Sequence, residues 1–127
     1  ALFDGIIADQ LPDESAWKSA CNNDQCCSTI IRLLLNPSRI TNEVLSKVHP
    51  TYRWAVRTSK LKWEENRLIL FEPIANSANT VWLIIIPLEL RKHLFTAFHV
   101  NPLGGHFSLY YTLHQIRLRY HWPNMYT

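Results

Sequence analysis

Two histidines near the end of the chain have the residue type and the spacing of metal ligands. His99 and His106 are separated by six residues, which include Pro102 and the pair Gly104-Gly105. Imidazole is a common zinc ligand, and a turn rich in glycine lets two imidazoles converge without strain in the backbone. The same spacing also fits a histidine that caps a helix followed by a histidine in a loop. Spacing alone therefore leaves both interpretations open.

The segment that contains these histidines also carries the whole net charge of the chain. Residues 1–86 contain nine Lys and Arg and nine Asp and Glu, whereas residues 87–127 contain four basic residues and one acidic residue, Glu89. Five of the six histidines lie in residues 87–127 as well. The four basic residues are Arg91, Lys92, Arg117 and Arg119. They are candidate contacts for nucleic-acid phosphates, although a solvated basic surface has the same composition.

Two helical patterns position these histidines. From Pro87, which suits the first turn of a helix, an apolar stripe recurs at helical spacing, so His99 falls at the C-terminal end of an amphipathic helix. That stripe consists of Leu90, Leu94, Ala97 and Phe98. A second helix is predicted after the turn, with Ser108 as its cap. Its buried stripe consists of Leu109, Leu113, Ile116 and Tyr120, so His114 is expected on the surface, as is His121 beyond it.

The preceding residues predict helices followed by strands. Asp13, Asp24 and Thr41 each precede an apolar pattern of helical period and are expected to cap a helix. The period then changes to that of strands, and Glu65-Asn66 is predicted as the turn between the first two. Val81–Ile86 is apolar at every position, which is typical of a strand covered on both faces.

These patterns predict an α+β fold in two parts. Residues 1–86 are expected to form a helical extension subdomain with a small antiparallel sheet of three strands, and residues 87–127 a helical domain, with the boundary near Pro87. A domain close to the length of this 127-residue chain buries roughly two-thirds of its extended surface, so a core without disulfides or metals is feasible.

Cysteine usage and hydropathy separate the chain from secreted disulfide proteins and from membrane proteins. Cys21, Cys26 and Cys27 are odd in number and clustered, which favours a reducing, intracellular compartment over a disulfide framework. Cys21 and Cys27 lie on apolar helix stripes, so we expect both thiols in the core. The longest apolar run, Val81–Pro87, is far shorter than the roughly twenty residues of a membrane helix, and no membrane partner is expected.

The run from Ile86 to Met125 resembles a known domain. It is similar to the zinc-binding His-His-Cys-Cys domain at the N-terminus of integrases from long-terminal-repeat retroelements and retroviruses. The shared features are Pro-Leu-x-Leu-Arg from Pro87, a histidine at a helix end, Pro-x-x-Gly-His from Pro102, Thr112-Leu113, and Tyr-x-Trp-Pro-x-Met from Tyr120. The helices and strands before this run are similar in order to the extension that precedes the domain in some integrases.

The resemblance implies a zinc site of which this chain holds half. His99 and His106 correspond to the two histidine ligands of the family. The family's Cys-x2-Cys pair is expected roughly thirty residues after the second histidine, beyond Thr127. Two histidines cannot supply the roughly 10 to 16 kcal/mol of a four-ligand structural zinc, so we expect weak zinc binding and order that comes mainly from the apolar core.

The function implied is that of a non-catalytic fragment of a retrotransposon polyprotein. Integrase catalysis uses acidic residues in a separate metal-binding core, and residues 87–127 contain one carboxylate, Glu89. The fragment would assist integrase self-association and bind the DNA ends of the element, with a nuclear location when it acts in integration. The alternative is a metal-independent protein-interaction module from a decayed or repurposed element.

Overall fold

The structure is a computed structural model, and it describes residues 12–73, 80–99 and 109–124. Its helices are α1 (Glu14–Asn23), α2 (Gln25–Leu35), α3 (Asn42–Leu45), α4 (Pro50–Arg57), α5 (Arg91–His99) and α6 (Leu109–Arg117), with short 3₁₀ helices at Pro37–Arg39 and Leu88–Leu90. Its strands are β1 (Leu61–Glu64), β2 (Arg67–Pro73), β3 (Thr80–Ile85) and β4 (Tyr120–His121). The predicted α+β class is confirmed. In these described ranges no helix combines the length and the apolar character needed to cross a membrane.

The first helices begin where their capping residues predict. The side chains of Asp13 and Asp24 each accept a hydrogen bond from the backbone N–H three residues further on, at 2.8 and 3.0 Å. Thr41 does the same for α3, at 3.2 Å. Each bond satisfies one of the N–H groups that the first turn of a helix leaves without a partner. The three predicted caps are confirmed.

The predicted hairpin of β1 and β2 is also present. The two strands pair antiparallel and are joined by Glu65 and Asn66, whose φ angles are 52° and 61°. Positive φ at both central residues is what a two-residue turn of type I′ requires, because its twist matches that of the strands. Asparagine tolerates this left-handed region better than most residues. β3 then pairs antiparallel with β2.

The prediction of three strands is wrong, because the sheet has a fourth. Tyr120–His121 forms β4, which pairs with β3 in parallel and makes the strand order β1-β2-β3-β4. Ile84 donates its N–H to the carbonyl of Arg119 at 2.9 Å, and Ile86 donates to the carbonyl of His121 at 3.0 Å. Without β4 these backbone groups would lie at an unpaired sheet edge, and groups of this kind are costly when they are buried.

The second correction concerns the end of α6. The helix ends at Arg117, so Tyr120 lies in a strand and not on the helix stripe where the pattern placed it. Its side chain nevertheless packs, partly buried, against the hydrophobic cluster that contains Ile116. The apolar pattern is therefore satisfied by two different elements, which a helical period cannot distinguish from one.

Two hydrophobic clusters hold the elements together. The first lies between helices α2 and α4 and one face of the sheet, where Leu61, Leu68 and Ile85 are buried. The second consists of Trp17, Ala20, Ile86, Leu90, Leu94 and Ile116. Since the second cluster draws on residues from both sides of Pro87, apolar packing crosses the predicted boundary. The division into residues 1–86 and 87–127 stays a prediction.

The prediction that two of the cysteines lie in the core is confirmed. Cys21 and Cys27 are buried in the first cluster, and both are free thiols. Trp82, in contrast, departs from the prediction for its strand. Its side chain is 45% exposed, so β3 is not covered on both faces along its whole length.

Candidate metal centre and its surroundings

His99 lies where the sequence predicts, at the end of an amphipathic helix. It is the last residue of α5, and Leu94 and Ala97 of the predicted stripe are buried. The side chain of His99 is not among the described features, and His106 falls in residues 100–108, outside the described residues. The pairing of the two imidazoles therefore stays a prediction.

The other histidines of the described residues do not form a metal site. No three or more His, Cys, Asp or Glu side chains in the described ranges come together in a way that could hold a metal ion. His93 on α5 and His114 on α6 are exposed, and His49 uses its Nδ1 to accept the N–H of Thr51 at 3.1 Å. The exposed position predicted for His114 is confirmed. His99 and His106 stay the predicted zinc ligands.

His121 occupies a different environment from the surface position predicted for it. Its ring is half-buried, and its Nδ1 lies 2.6 Å from the hydroxyl oxygen of Tyr52. The two rings meet edge to face, with centroids 5.3 Å apart. Tyr52 belongs to α4 and is 1% exposed. This contact ties β4 to the helices of the N-terminal part, across 69 residues of sequence.

The electrostatic setting of this contact keeps both partners neutral. Burial lowers the pKa of His121, and the positive charges of Arg117 and Arg91 act in the same direction. Burial raises the pKa of the Tyr52 hydroxyl, which stays protonated. Both groups are therefore neutral at neutral pH, and the tautomer of His121 determines which of the two donates the hydrogen bond.

The four basic residues predicted to contact nucleic acid have different surroundings. Arg91 is half-buried, and its Nε donates to the carbonyl oxygen of Ile86 at 3.3 Å. Lys92, Arg117 and Arg119 are exposed. The positive charges of Arg91 and Arg117 help lower the pKa of His121, while Lys92 is exposed on α5. Their contact with nucleic acid stays a prediction.

The partly exposed cysteine does not supply a reactive thiol. Cys26 is the one with partial exposure, and its Sγ accepts the N–H of His49 at 3.4 Å. Burial is the main cause that raises the pKa of the Cys26 thiol, so the thiolate is scarce at neutral pH. Cys26 also lines a shallow cleft beside Asp24, whose Oδ2 accepts the N–H of Leu88 at 2.9 Å. This cleft contains no activated nucleophile.

Comparison with protein families bears directly on this region. Residues 86–127 match the integrase zinc binding domain, and the resemblance seen in the sequence is confirmed for these residues. The matched domain is not itself catalytic, and the family implies zinc. The match covers the last third of the chain. Neither the search of curated proteins nor the search of solved structures found a match.

Proposed function

We propose that residues 86–127 act as the zinc-binding region of a retrotransposon integrase, in which they assist self-association and contact the DNA ends of the element. The observation that carries this proposal is the match of these residues to the integrase zinc binding domain. The helical pair α5 and α6, which contact each other, supplies the framework.

The proposed zinc ligands in this chain are His99 and His106. His99 ends α5, and His106 lies three residues before Leu109, where α6 begins. The nine residues 100–108 thus join two helices that pack together. A bound zinc ion would cross-link this connection as a structural ion, with further ligands from outside these two histidines. This chain's contribution is two imidazoles, one at the end of α5 and one from the connection that follows it.

The framework has its own source of stability. Leu90, Leu94 and Ile116 are buried in the second cluster together with Trp17 of α1. Burial of one such side chain contributes about 1.5 to 3 kcal/mol, so several of them offset the absence of a complete metal site. We therefore expect α5 and α6 to be folded without zinc, and zinc to add to an existing structure.

The proposed DNA contact is weak and depends on salt. Each phosphate contact contributes about −0.9 to the slope of the logarithm of the binding constant against the logarithm of the salt concentration. Four contacts would therefore give a slope of about −3.6. Arg91 already donates to the carbonyl oxygen of Ile86. Without a contact from Arg91, three phosphate contacts would give a slope of about −2.7. Binding of this strength suits a region that acts within an assembly.

Zinc titration of histidine variants tests the proposal. Calorimetry of the 127-residue chain is expected to show weak binding that His99→Ala or His106→Ala abolishes. His93→Ala and His114→Ala are matched controls, because these two exposed histidines lie on the same two helices. They should leave the affinity unchanged. Equal losses in all four variants would mean non-specific binding by surface imidazoles and would contradict the proposed ligands.

A metal-independent interaction module is the second candidate. It is favoured by the second hydrophobic cluster, whose members among the described residues are all hydrophobic. This function predicts that zinc changes neither the thermal stability of the chain nor its self-association. A zinc-dependent rise in either quantity that is lost in His99→Ala would exclude it.

A further inference from the structure

One face of the sheet is covered along only part of its length. The side chains of Leu61, Leu68 and Ile85 face α2 and α4 and are buried. On the opposite face, α1 covers one end, where Trp17 stacks on Tyr120 with ring centroids 6.5 Å apart. Further along the same face, Trp82 is exposed.

The open end of this face carries two aromatic rings and two ammonium groups. Phe71 and Trp82 are cross-strand partners, and their ring centroids lie 4.5 Å apart. The Nζ of Lys60 lies 5.2 Å from the centroid of Phe71, and the Nζ of Lys62 lies 4.6 Å from that of Trp82. We call Lys60, Lys62, Phe71 and Trp82 the aromatic–lysine face.

The rings of this face are accessible. Trp82 is 45% exposed, and Phe71 beside it is half-buried. Both rings lie on paired strands. Phe71 also donates its N–H to the carbonyl of Lys60 at 2.7 Å. An aromatic pair that the backbone holds in place loses little conformational freedom when a flat ligand stacks on it.

The cations of the face can exchange their present partners for phosphate. An ammonium above an exposed ring is held more weakly than a nucleobase that stacks on the same ring. Lys62 also pairs with Glu64 at 2.8 Å, and both side chains are exposed, so this ion pair is weak. A phosphate could therefore take the place of the ring or the carboxylate.

We propose that the aromatic–lysine face binds single-stranded nucleic acid. Bases would stack on Trp82 and Phe71, and the ammonium groups of Lys60 and Lys62 would contact the adjacent phosphates. The charge of the face complements the phosphate backbone. A single strand is favoured over a duplex, because only unpaired bases present their π-faces to a protein surface. This site is distinct from the region that matches the zinc domain, so the two proposals can be tested independently.

Fluorescence anisotropy with a labelled oligothymidine about twelve nucleotides long tests this proposal on the full 127-residue chain. Trp82→Ala is expected to weaken binding roughly 5- to 150-fold, which is the cost of losing one stacked base. Trp54→Ala is the matched control, because Trp54 is 44% exposed and lies on α4, away from this face. It should leave the affinity unchanged.

Charge variants provide a second readout that does not depend on the aromatic rings. Lys60→Gln and Lys62→Gln should each reduce the log-log salt slope by about 0.7, the value for one phosphate contact on a single strand. Lys47→Gln, at an exposed position on another surface, should not change the slope. Glu64→Gln should tighten binding about twofold to fivefold, since it frees Lys62 for phosphate.

Several outcomes would overturn the proposal. These are the absence of oligothymidine binding, an equal effect of Trp82→Ala and Trp54→Ala, or an equal effect of Trp82→Ala on the binding of the single strand and of a duplex of the same length. Weaker binding by Glu64→Gln would also contradict it. If Trp82→Ala failed to fold, as judged by its circular dichroism, Lys62→Gln and Glu64→Gln would decide, because they alter only exposed side chains.

Discussion

The hydrogen bond between Tyr52 and His121 joins residues on either side of the predicted boundary near Pro87, and its removal has a predictable effect on stability. Tyr52→Phe removes one hydroxyl from a residue that is 1% exposed and leaves the ring in place. The Nδ1 of His121, at 2.6 Å from the hydroxyl oxygen, then loses its hydrogen-bond partner. Because His121 is only half-buried, water can reach part of its ring.

The expected cost follows from this geometry. A net hydrogen bond contributes about 0.5 to 1.5 kcal/mol, and partial access of water to His121 keeps the loss near about 1 kcal/mol. For a chain of this length, that loss lowers the melting temperature by roughly 2 to 6 °C. His121→Ala should remove the same bond. The stability loss of the double variant with Tyr52→Phe should therefore be smaller than the sum of the losses of the two single variants.

The stability of the chain should also change with pH in a definite direction. Burial lowers the pKa of folded His121 below its ordinary value of 6.5, so the unfolded chain binds more protons in that interval. The stability contributed by neutral His121 is complete above pH 6.5 and is lost as the pH falls from 6.5 through the lower folded pKa. His121→Ala should flatten this part of the profile, whereas His93→Ala, at an exposed position, should not.

Urea denaturation followed by circular dichroism, at several pH values between about 5 and 8, measures these quantities. Full additivity of Tyr52→Phe and His121→Ala would refute the reasoning, because it would show that the two groups do not interact in the folded chain. A stability that rises as the pH falls below 6.5 would refute the proposed neutral state of His121.

Two further predictions concern packing and capping. Ile116→Ala, at a fully buried position of the second cluster, should destabilise the chain by about 2 to 5 kcal/mol in urea denaturation, and a loss below about 1 kcal/mol would contradict the packing. Asp24→Ala should cost more than Asp13→Ala, for which about 0.5 to 2 kcal/mol is expected, because Asp24 also accepts the N–H of Leu88. Equal costs, measured by thermal denaturation, would show that the bond to Leu88 contributes nothing.

The features that the sequence predicts well are local ones. Asp13, Asp24 and Thr41 cap helices through backbone groups three residues away, and the turn at Glu65-Asn66 depends on the φ angles of those two residues. Patterns of this kind are contained in a short window of sequence. They require no knowledge of which distant elements pair.

The features that the sequence misses are non-local. The pairing of β4 with β3 involves two residues on each strand, which is too short for an alternating pattern, and its partners are more than thirty residues apart. The bond of Tyr52 to His121 depends on the same pairing, which turns His121 toward α4. The exposure of Trp82 depends on which distant elements cover its strand, and a uniformly apolar strand does not reveal them.

The assignment of His99 and His106 as zinc ligands is tested most directly by the nuclear magnetic resonance of the histidine side chains. Zinc added to the ¹⁵N-labelled chain is expected to shift the imidazole signals of these two residues together, at a lower zinc concentration than it shifts those of His93 and His114. Shifts that occur first at His93 and His114, with His99 and His106 unchanged, would contradict the assignment.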